Sequence, residues 1–134
     1  MTKQPPPKIL LIENDPQFTY LMQRYAEKSE CQLISTERDE DGLFLARKEL
    51  PALIILDMML PGMSSDRVFK ALRADPVTRH IPVVIYSSLE TTLFGWEEEA
   101  DVRLVKPVRY SDFLAALITV GIIPHDSFEA GGCA

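Results

Sequence analysis

Hydrophobic residues along the chain fall into two alternating patterns. Short apolar runs, typical of strands buried on both faces, are separated by longer stretches whose apolar residues recur at helical spacing. The predicted strands are 8–12, 31–36, 52–56, 82–86 and 102–105, and the predicted helices are 16–28, 39–50, 65–74, 91–99 and 110–120. Strands that alternate with helices form βαβ units with right-handed crossovers. We therefore predict an α/β fold, a doubly wound five-stranded parallel sheet with helices on both faces.

Most of the predicted helices have an apolar side suited to packing on the sheet. Asp15 and Pro16 favour a helix start, since aspartate caps helix N-termini and proline suits the first helical position. The second helix should be closed by Pro51. The residues predicted to face the core are Phe18, Leu21, Met22, Tyr25, Ala26, Leu43, Ala46, Leu50, Val68, Phe69, Leu72, Phe113, Leu114, Leu117 and Ile118.

Polar side chains end four of the predicted strands. They are Glu13 with Asn14 after the first strand, Asp57 after the third, Ser87 after the fourth and Lys106 after the fifth. Because the carboxyl ends of parallel strands meet at one edge, where α/β sheets bind ligands, we expect these groups to lie together. A lone aspartate at a strand end is usually a turn-former or a helix cap. The matching groups on neighbouring strands make Asp57 a candidate functional residue.

The composition is ordinary for a soluble protein of one domain. The chain has 134 residues, of which 46% are hydrophobic and 25% charged. A net charge of −6 without a basic cluster argues against a direct nucleic-acid partner. The apolar stretch 113–123 is far shorter than the ~20 residues of a membrane span, and the polar, proline-rich start is not typical of a signal peptide.

The cysteine content and the two ends of the chain complete this interpretation. Cys31 and Cys133 do not make a disulfide framework, so we expect a cytoplasmic location and no membrane partner. We expect residues 1–7 to be a disordered lead, residues 8–120 to form the folded domain and residues 121–134 to be a loose C-terminal tail.

Three motifs resemble those of the receiver domain of two-component response regulators, the CheY-like superfamily. They are Leu56-Asp57-Met58-Met59-Leu60-Pro61-Gly62-Met63, the pair Ala74-Asp75-Pro76 and His80-Ile81-Pro82-Val83, and Leu104-Val105-Lys106-Pro107. The resemblance covers about residues 8–120. Asp57 lies 43 residues after Asn14 and 30 before Ser87, spacings that suit the family. The resemblance implies a flavodoxin-like receiver fold with strand order 2-1-3-4-5.

The resemblance also implies a phosphoryl-acceptor site. Asp57 would be the nucleophile that takes a phosphoryl group from a histidine kinase or histidine phosphotransfer protein, forming an acyl phosphate. Ser87 and Lys106 would bind the phosphoryl oxygens. Mg²⁺, which prefers hard oxygen ligands, would be held by Glu13, Asn14, Asp57 and the main-chain carbonyl of Met59. The domain would be a signalling protein rather than an enzyme, assisting its own phosphotransfer and dephosphorylation.

Signalling in this family implies a switch and a protein target. Ser87 would shift on phosphorylation together with the residue three positions before the lysine, which is Arg103. The added charge of about −1.5 to −2 would bias a two-state element that acts on a distant surface. The Lys106–Pro107 bond is a candidate cis peptide. The implied downstream partner is a protein whose identity the sequence does not give.

Two differences from the family pattern concern the chemistry of the site. Asn14 stands where a second carboxylate is usual, and an amide brings no charge, so the affinity for Mg²⁺ should be weakened. Met59 and Leu89 occupy positions that tune the loss of the phosphoryl group. Both are apolar and would exclude an attacking water, which predicts slow autodephosphorylation.

Two further differences concern the signalling surface. Arg103 stands where the family has an aromatic switch residue, and we expect it to swing between solvent and an acidic partner among 97–99. Lys106 comes only 19 positions after Ser87, a few fewer than the family pattern has. The predicted helix 91–99 should therefore be short or distorted.

Two functions from different classes fit these residues. The preferred one is a stand-alone receiver that is phosphorylated on Asp57 and signals by protein–protein contact, since we expect the chain after Val120 to be too short for an output domain. The alternative is a receiver-like interaction module that acts without phosphorylation. Asn14 and Arg103 favour the alternative, whereas an intact set of acceptor, hydroxyl and lysine opposes it.

Enzymes on the same topology are disfavoured. An aspartate-nucleophile phosphohydrolase needs a second aspartate where Met59 stands. A nucleotide-binding protein needs a glycine-rich loop after the first strand, and residues 13–16 contain no glycine.

Overall fold

A five-stranded parallel sheet forms the centre of the protein, in a computed structural model whose residues 5–58, 65–87 and 99–124 are described. The strands are β1 (Lys8–Ile12), β2 (Gln32–Thr36), β3 (Leu53–Asp57), β4 (Val83–Ser87) and β5 (Val102–Val105). All neighbouring strands are parallel, and their order is β2-β1-β3-β4-β5. The predicted sheet and its strand order are confirmed.

Helices cover both faces of this sheet. They are α1 (Pro16–Lys28), α2 (Asp39–Glu49), α3 (Ser65–Ala74) and α4 (Tyr110–Thr119). α1 and α4 pack on one face, where Phe18 and Phe113 join a buried cluster with alternate residues of the strands. α2 and α3 pack on the other face, around Phe69 and Leu72. None of the helices in the described part is long and apolar enough to cross a membrane.

The N-terminus of α1 is capped as the sequence predicts. Asp15 has an extended backbone, and its Oδ1 accepts a hydrogen bond from the Gln17 N–H at 3.0 Å. Pro16 takes the first helical position. Asp15 therefore holds the helix start immediately after Glu13 and Asn14, which confirms its role as a cap.

β3 and β4 each begin and end one residue later than predicted, so Asp57 and Ser87 belong to the strands themselves. The Met58 N–H donates to the Tyr86 carbonyl at 3.0 Å, and the Lys106 N–H donates to the Ser87 carbonyl at 2.8 Å. Asp57 and Ser87 are thus the last residues of paired strands. The sheet fixes their backbones, because Met58, which follows Asp57, and the carbonyl of Ser87 itself are hydrogen-bonded across strands.

The predicted helix 91–99 lies outside the described residues except for Glu99, so its length stays a prediction. Further along, Ile122 and Ile123 pack against the cluster formed with α1 and α4. The Ile122 N–H also donates to the Leu117 carbonyl at 2.9 Å. The packed part of the chain therefore continues beyond residue 120, into the segment for which a loose tail is predicted.

The prediction that Leu50 faces the core is wrong. Leu50 is the C-cap of α2, its backbone is left-handed with φ 47° and ψ 59°, and its side chain is 59% exposed. Helical spacing predicts the direction of a side chain only within the helix. Leu50 lies past the last helical residue, so its side chain points to solvent. A leucine in this backbone region is strained because its Cβ approaches the backbone.

Leu50→Gly is expected to raise the free energy of unfolding by about 0.5–1 kcal/mol. Glycine adopts the left-handed region without the clash that costs other residues about 1–2 kcal/mol, and its greater chain entropy offsets part of the gain. Leu50→Ala is the matched control, since it removes the same exposed side chain but keeps the Cβ. Urea unfolding compares the variants, and an equal gain in both would show that backbone strain is not the cause.

Candidate functional site

Three buried side chains lie side by side at the carboxyl edge of β1, β3 and β4. The strand register pairs Asp57 with Tyr86 and pairs Leu56 with Ile12. One further step along β1 brings Glu13 beside Asp57, on the face covered by α1 and α4, because alternate residues of a strand share a face. Glu13, Asp57 and Tyr86 are 1%, 4% and 0% exposed. The structure thus brings together the two carboxylates that the sequence singles out.

The Glu13 carboxyl has a strongly raised pKa. Burial raises the pKa of Glu13 from 4.5 to about 7, and the negative charge of Asp57 adds to this effect. The N–H groups of Asn14 and Asp15 oppose it by donating to Glu13 Oε1 at 2.8 and 3.0 Å. Glu13 Oε2 is buried and accepts no hydrogen bond within the described part of the chain. The charged form of Glu13 is therefore disfavoured at this site.

Stability should fall as the pH rises from about 4.5 to about 7 because of Glu13. In this window the unfolded chain releases the Glu13 proton while the folded protein retains it, so the bound proton stabilises the folded state. Glu13→Gln should remove this slope. It is expected to raise the free energy of unfolding at pH 8 by about 1–3 kcal/mol, since one unit of pKa shift corresponds to about 1.4 kcal/mol.

Urea unfolding at several pH values in a metal-free buffer measures this slope. Glu37→Gln is the matched control, because Glu37 is an exposed glutamate that follows β2 at the same edge of the sheet. The control should keep the slope of the wild type. A Glu13→Gln variant with an unchanged slope would contradict the assignment.

Asp57 is also fixed through its main chain. Ser65 Oγ, at the start of α3, donates to the Asp57 carbonyl at 2.6 Å, and Ser65 is 4% exposed. This hydrogen bond joins the end of β3 to the start of α3. The sequence does not single out Ser65, because a serine at a helix start is ordinarily read as a cap.

Lys106 lies next to two stacked aromatic rings. Its Nζ is 4.9 Å from the ring centroid of Tyr86 and 5.8 Å from that of Phe18. The two rings stack with centroids 4.1 Å apart and an interplanar angle of 13°. Among the residues that the structure describes, Lys106 forms no salt bridge. Lys106 therefore lies next to Tyr86, the residue paired with Asp57 in the strand register.

The sequence did not predict that these two rings belong to the site, because both lie at positions typical of core residues. Phe18 falls on the predicted core side of α1, and Tyr86 ends an apolar run. A tyrosine in a buried strand is the one usable signal, since its hydroxyl ordinarily needs a partner. Tyr86 Oη makes no hydrogen bond in the part of the chain that is described.

The remaining predicted residues are placed as follows. Asn14 is exposed at the end of β1, and Ser87 is half-buried next to Tyr86. Arg103 is exposed in β5, and it forms no ion pair within residues 5–58, 65–87 and 99–124. The Lys106–Pro107 peptide is cis, as suspected. Residues that fall outside the described part are Met59, Leu89, Glu97 and Glu98.

The oxygen atoms at this edge suit a hard divalent cation. A cation would offset the repulsion between Glu13 and Asp57 and would give Glu13 Oε2 a partner. The described residues contain no group of three His, Cys, Asp or Glu side chains that could hold a metal. Two carboxylates would have to be supplemented by neutral oxygens, such as the Asn14 amide and the Met59 carbonyl.

Two known proteins are similar to this chain over most of its length. PilH of Pseudomonas aeruginosa is 28% identical over 116 residues, which cover 84% of this chain and 96% of PilH. The transcriptional regulatory protein HprR of Escherichia coli is 34% identical over 108 residues, which cover 81% of this chain. The match spans only 48% of HprR, so this chain corresponds to about half of that relative.

A solved structure and a family model extend the comparison. The receiver domain of a sensor histidine kinase from Pseudomonas aeruginosa, solved with a magnesium ion coordinated in its active-site cleft, superimposes with a TM-score of 0.75. It is 18% identical, and the match covers 87% of this chain and 98% of that one. The model of the response regulator receiver domain matches residues 9–118. With the strand order and the strand-end carboxylates described above, this match shows that the chain belongs to the response regulator receiver domain family.

Proposed function

We propose that this receiver domain accepts a phosphoryl group on Asp57 from a histidine kinase or histidine phosphotransfer protein and signals by contact with a downstream protein. The observation that carries the proposal is the position of Asp57. It ends β3, in the middle of the sheet, with Glu13 on one side and the end of β4 on the other. A carboxylate at the carboxyl edge of a parallel sheet is placed to meet a ligand.

The proposed transfer forms one bond and breaks one bond. A carboxylate oxygen of Asp57 bonds to phosphorus, the phosphorus–nitrogen bond of the donor phosphohistidine breaks, and the imidazole leaves and takes up a proton. Lys106 and Ser87 then bind the oxygens of the acyl phosphate. An ammonium group and a hydroxyl at this place stabilise the negative charge that these oxygens carry.

Glu13, Asn14, Asp57 and the Met59 carbonyl are the proposed ligands of Mg²⁺. When bound, the ion neutralises charge on the transferring phosphoryl group. Glu13 Oε2, which is buried and has no hydrogen-bond partner among the described residues, supports this assignment, as does the magnesium ion in the receiver domain of the Pseudomonas aeruginosa kinase. The amide of Asn14 supplies no charge, so we propose that Mg²⁺ binds more weakly than it would with a carboxylate at position 14.

Ser87 and Arg103 are the proposed switch residues. Ser87 ends β4 beside Tyr86, and Arg103 of β5 is in register with Ile85 of β4. A shift of Ser87 towards the phosphoryl group would therefore displace β5, the paired strand that carries Arg103. Because Arg103 is exposed, a change in its position alters the surface offered to a protein partner.

The direct test is phosphorylation of the wild-type chain by a small acyl phosphate donor with Mg²⁺, followed by intact mass spectrometry. We expect the mass to increase by one phosphoryl group, hydroxylamine to remove it, and peptide mapping to place it on Asp57. Chelation of the metal should suppress the adduct. A wild-type chain that gains no adduct under these conditions would refute the proposal and favour the interaction module that acts without phosphorylation.

A further inference from the structure

We propose that Phe18 and Tyr86, the aromatic pair, position the Lys106 ammonium group for its role at Asp57; this inference rests on the proposed phosphoryl-acceptor function. Tyr86 is the residue beside Asp57 in the strand register. Lys106 directly follows β5, the next strand along the sheet. The ring of Tyr86 thus stands between the acceptor and the strand that supplies the lysine.

The contacts of Lys106 support a positioning role. Its Nζ lies over the Tyr86 ring at 4.9 Å and near the Phe18 ring at 5.8 Å, both within the range of cation–π attraction. Tyr86 is fully buried, and Phe18 is 8% exposed. A cation beside buried rings is partly desolvated, which strengthens the attraction.

A lysine needs such a support because its side chain is flexible. Four rotatable bonds let the ammonium group sample many positions, and catalysis benefits when a charge is held close to its place in the transition state. The two rings are themselves rigid, because they stack on each other and pack between α1 and the sheet. They therefore restrict where the ammonium group rests before a phosphoryl group arrives.

The hydroxyl of Tyr86 is not needed for this role. Tyr86 Oη makes no hydrogen bond in the described part of the chain, and a cation is attracted to the face of a phenylalanine ring as well. Tyr86→Phe should therefore rescue what Tyr86→Leu loses. Purely structural packing of the same rings would predict no effect of either substitution on Lys106.

The first measurement is the proton chemical shift of the Lys106 ε-methylene group in a protein labelled with ¹³C-lysine and assigned with Lys106→Arg. Protons above an aromatic ring are shifted upfield. We expect this shift in the wild type and in Tyr86→Phe, and its reduction in Tyr86→Leu and Phe18→Leu. A wild-type signal at the position of a solvated lysine would overturn the inference, whether or not the chain is phosphorylated.

The second measurement is the rate of acyl phosphate formation at saturating donor and Mg²⁺. Tyr86→Leu and Phe18→Leu should each slow it by about tenfold, the size expected for loss of one desolvated cation–π contact. In a Lys106→Met background neither change should slow it further, because the rings act through the lysine. Additive losses in that background would overturn the inference.

Phe113→Leu is the matched control for stability. Phe113 is 1% exposed in the same buried cluster, and its ring contacts Tyr25 and Tyr110. Its substitution should lower the free energy of unfolding and leave both the Lys106 shift and the rate unchanged. An equal loss of rate in Phe113→Leu would refute the positioning role. A wild type that forms no acyl phosphate but keeps the upfield shift would instead refute only the proposed function.

Discussion

Asp57→Asn is expected to abolish the acyl phosphate and, at the same time, to make the protein more stable. The amide of asparagine cannot serve as the nucleophile, so the phosphoryl adduct should be absent rather than reduced. The same change removes the negative charge that raises the pKa of Glu13. At pH 8 the free energy of unfolding should rise by about 1–2 kcal/mol, part of the effect that a shifted carboxyl of this kind produces.

The pairing of these two results is what makes the test specific. A substitution that damages the fold would lose the adduct and lose stability together. Asp15→Asn is the matched control, because asparagine also caps helices and Asp15 is an exposed residue next to the site. The control should keep the adduct and the stability of the wild type. Acyl phosphate on the Asp57→Asn chain would contradict the assignment of the acceptor.

Glu13 and Asp57 should also be coupled in stability. If each single substitution relieves the same repulsion, the gains from Glu13→Gln and Asp57→Asn will not add in the double variant. Urea unfolding of the four proteins at one pH measures this coupling. Full additivity would show that the two carboxyl groups do not interact, in conflict with the raised pKa of Glu13.

Asn14→Asp is expected to tighten Mg²⁺ binding by about tenfold or more. Two unit charges 4 Å apart near a protein surface attract by about 4 kcal/mol at an effective dielectric constant of 20. Because Asn14 is exposed, solvent screening reduces this attraction energy. A remaining gain of about 1.4 kcal/mol corresponds to a tenfold change in affinity. Isothermal titration calorimetry with Mg²⁺ measures the change.

The same substitution should have the opposite effect without metal. A third carboxylate beside Glu13 and Asp57 adds repulsion, so the metal-free Asn14→Asp protein should be less stable by about 1 kcal/mol. Acyl phosphate formation should become faster at low Mg²⁺ concentration. Unchanged affinity would show that residue 14 does not face the metal, and an adduct seen only on Asn14→Asp would mark the wild type as a module that has lost its chemistry.

Within the described residues, the sequence was sufficient for the helices and strands because local pattern and tertiary packing agree. Runs such as 52–56 contain little besides large apolar residues, and a strand buried on both faces is a place where they all leave water. The start of α1 was equally predictable, since Asp15 and Pro16 act on their own backbone. Leu50 was not predictable in this way, because its exposure depends on where the helix ends and how the chain turns into β3.

The same distinction between local pattern and tertiary contact applies to the candidate site. The sequence alone determined which groups reach the carboxyl edge, because the ends of apolar runs mark the ends of strands: Glu13, Asp57, Ser87 and Lys106. Only the tertiary structure decided how these groups interact. The raised pKa of Glu13 arises from burial beside Asp57, and the aromatic pair under Lys106 joins α1, β4 and the end of β5. Such contacts depend on distances between residues far apart in the chain, which a one-dimensional pattern does not contain.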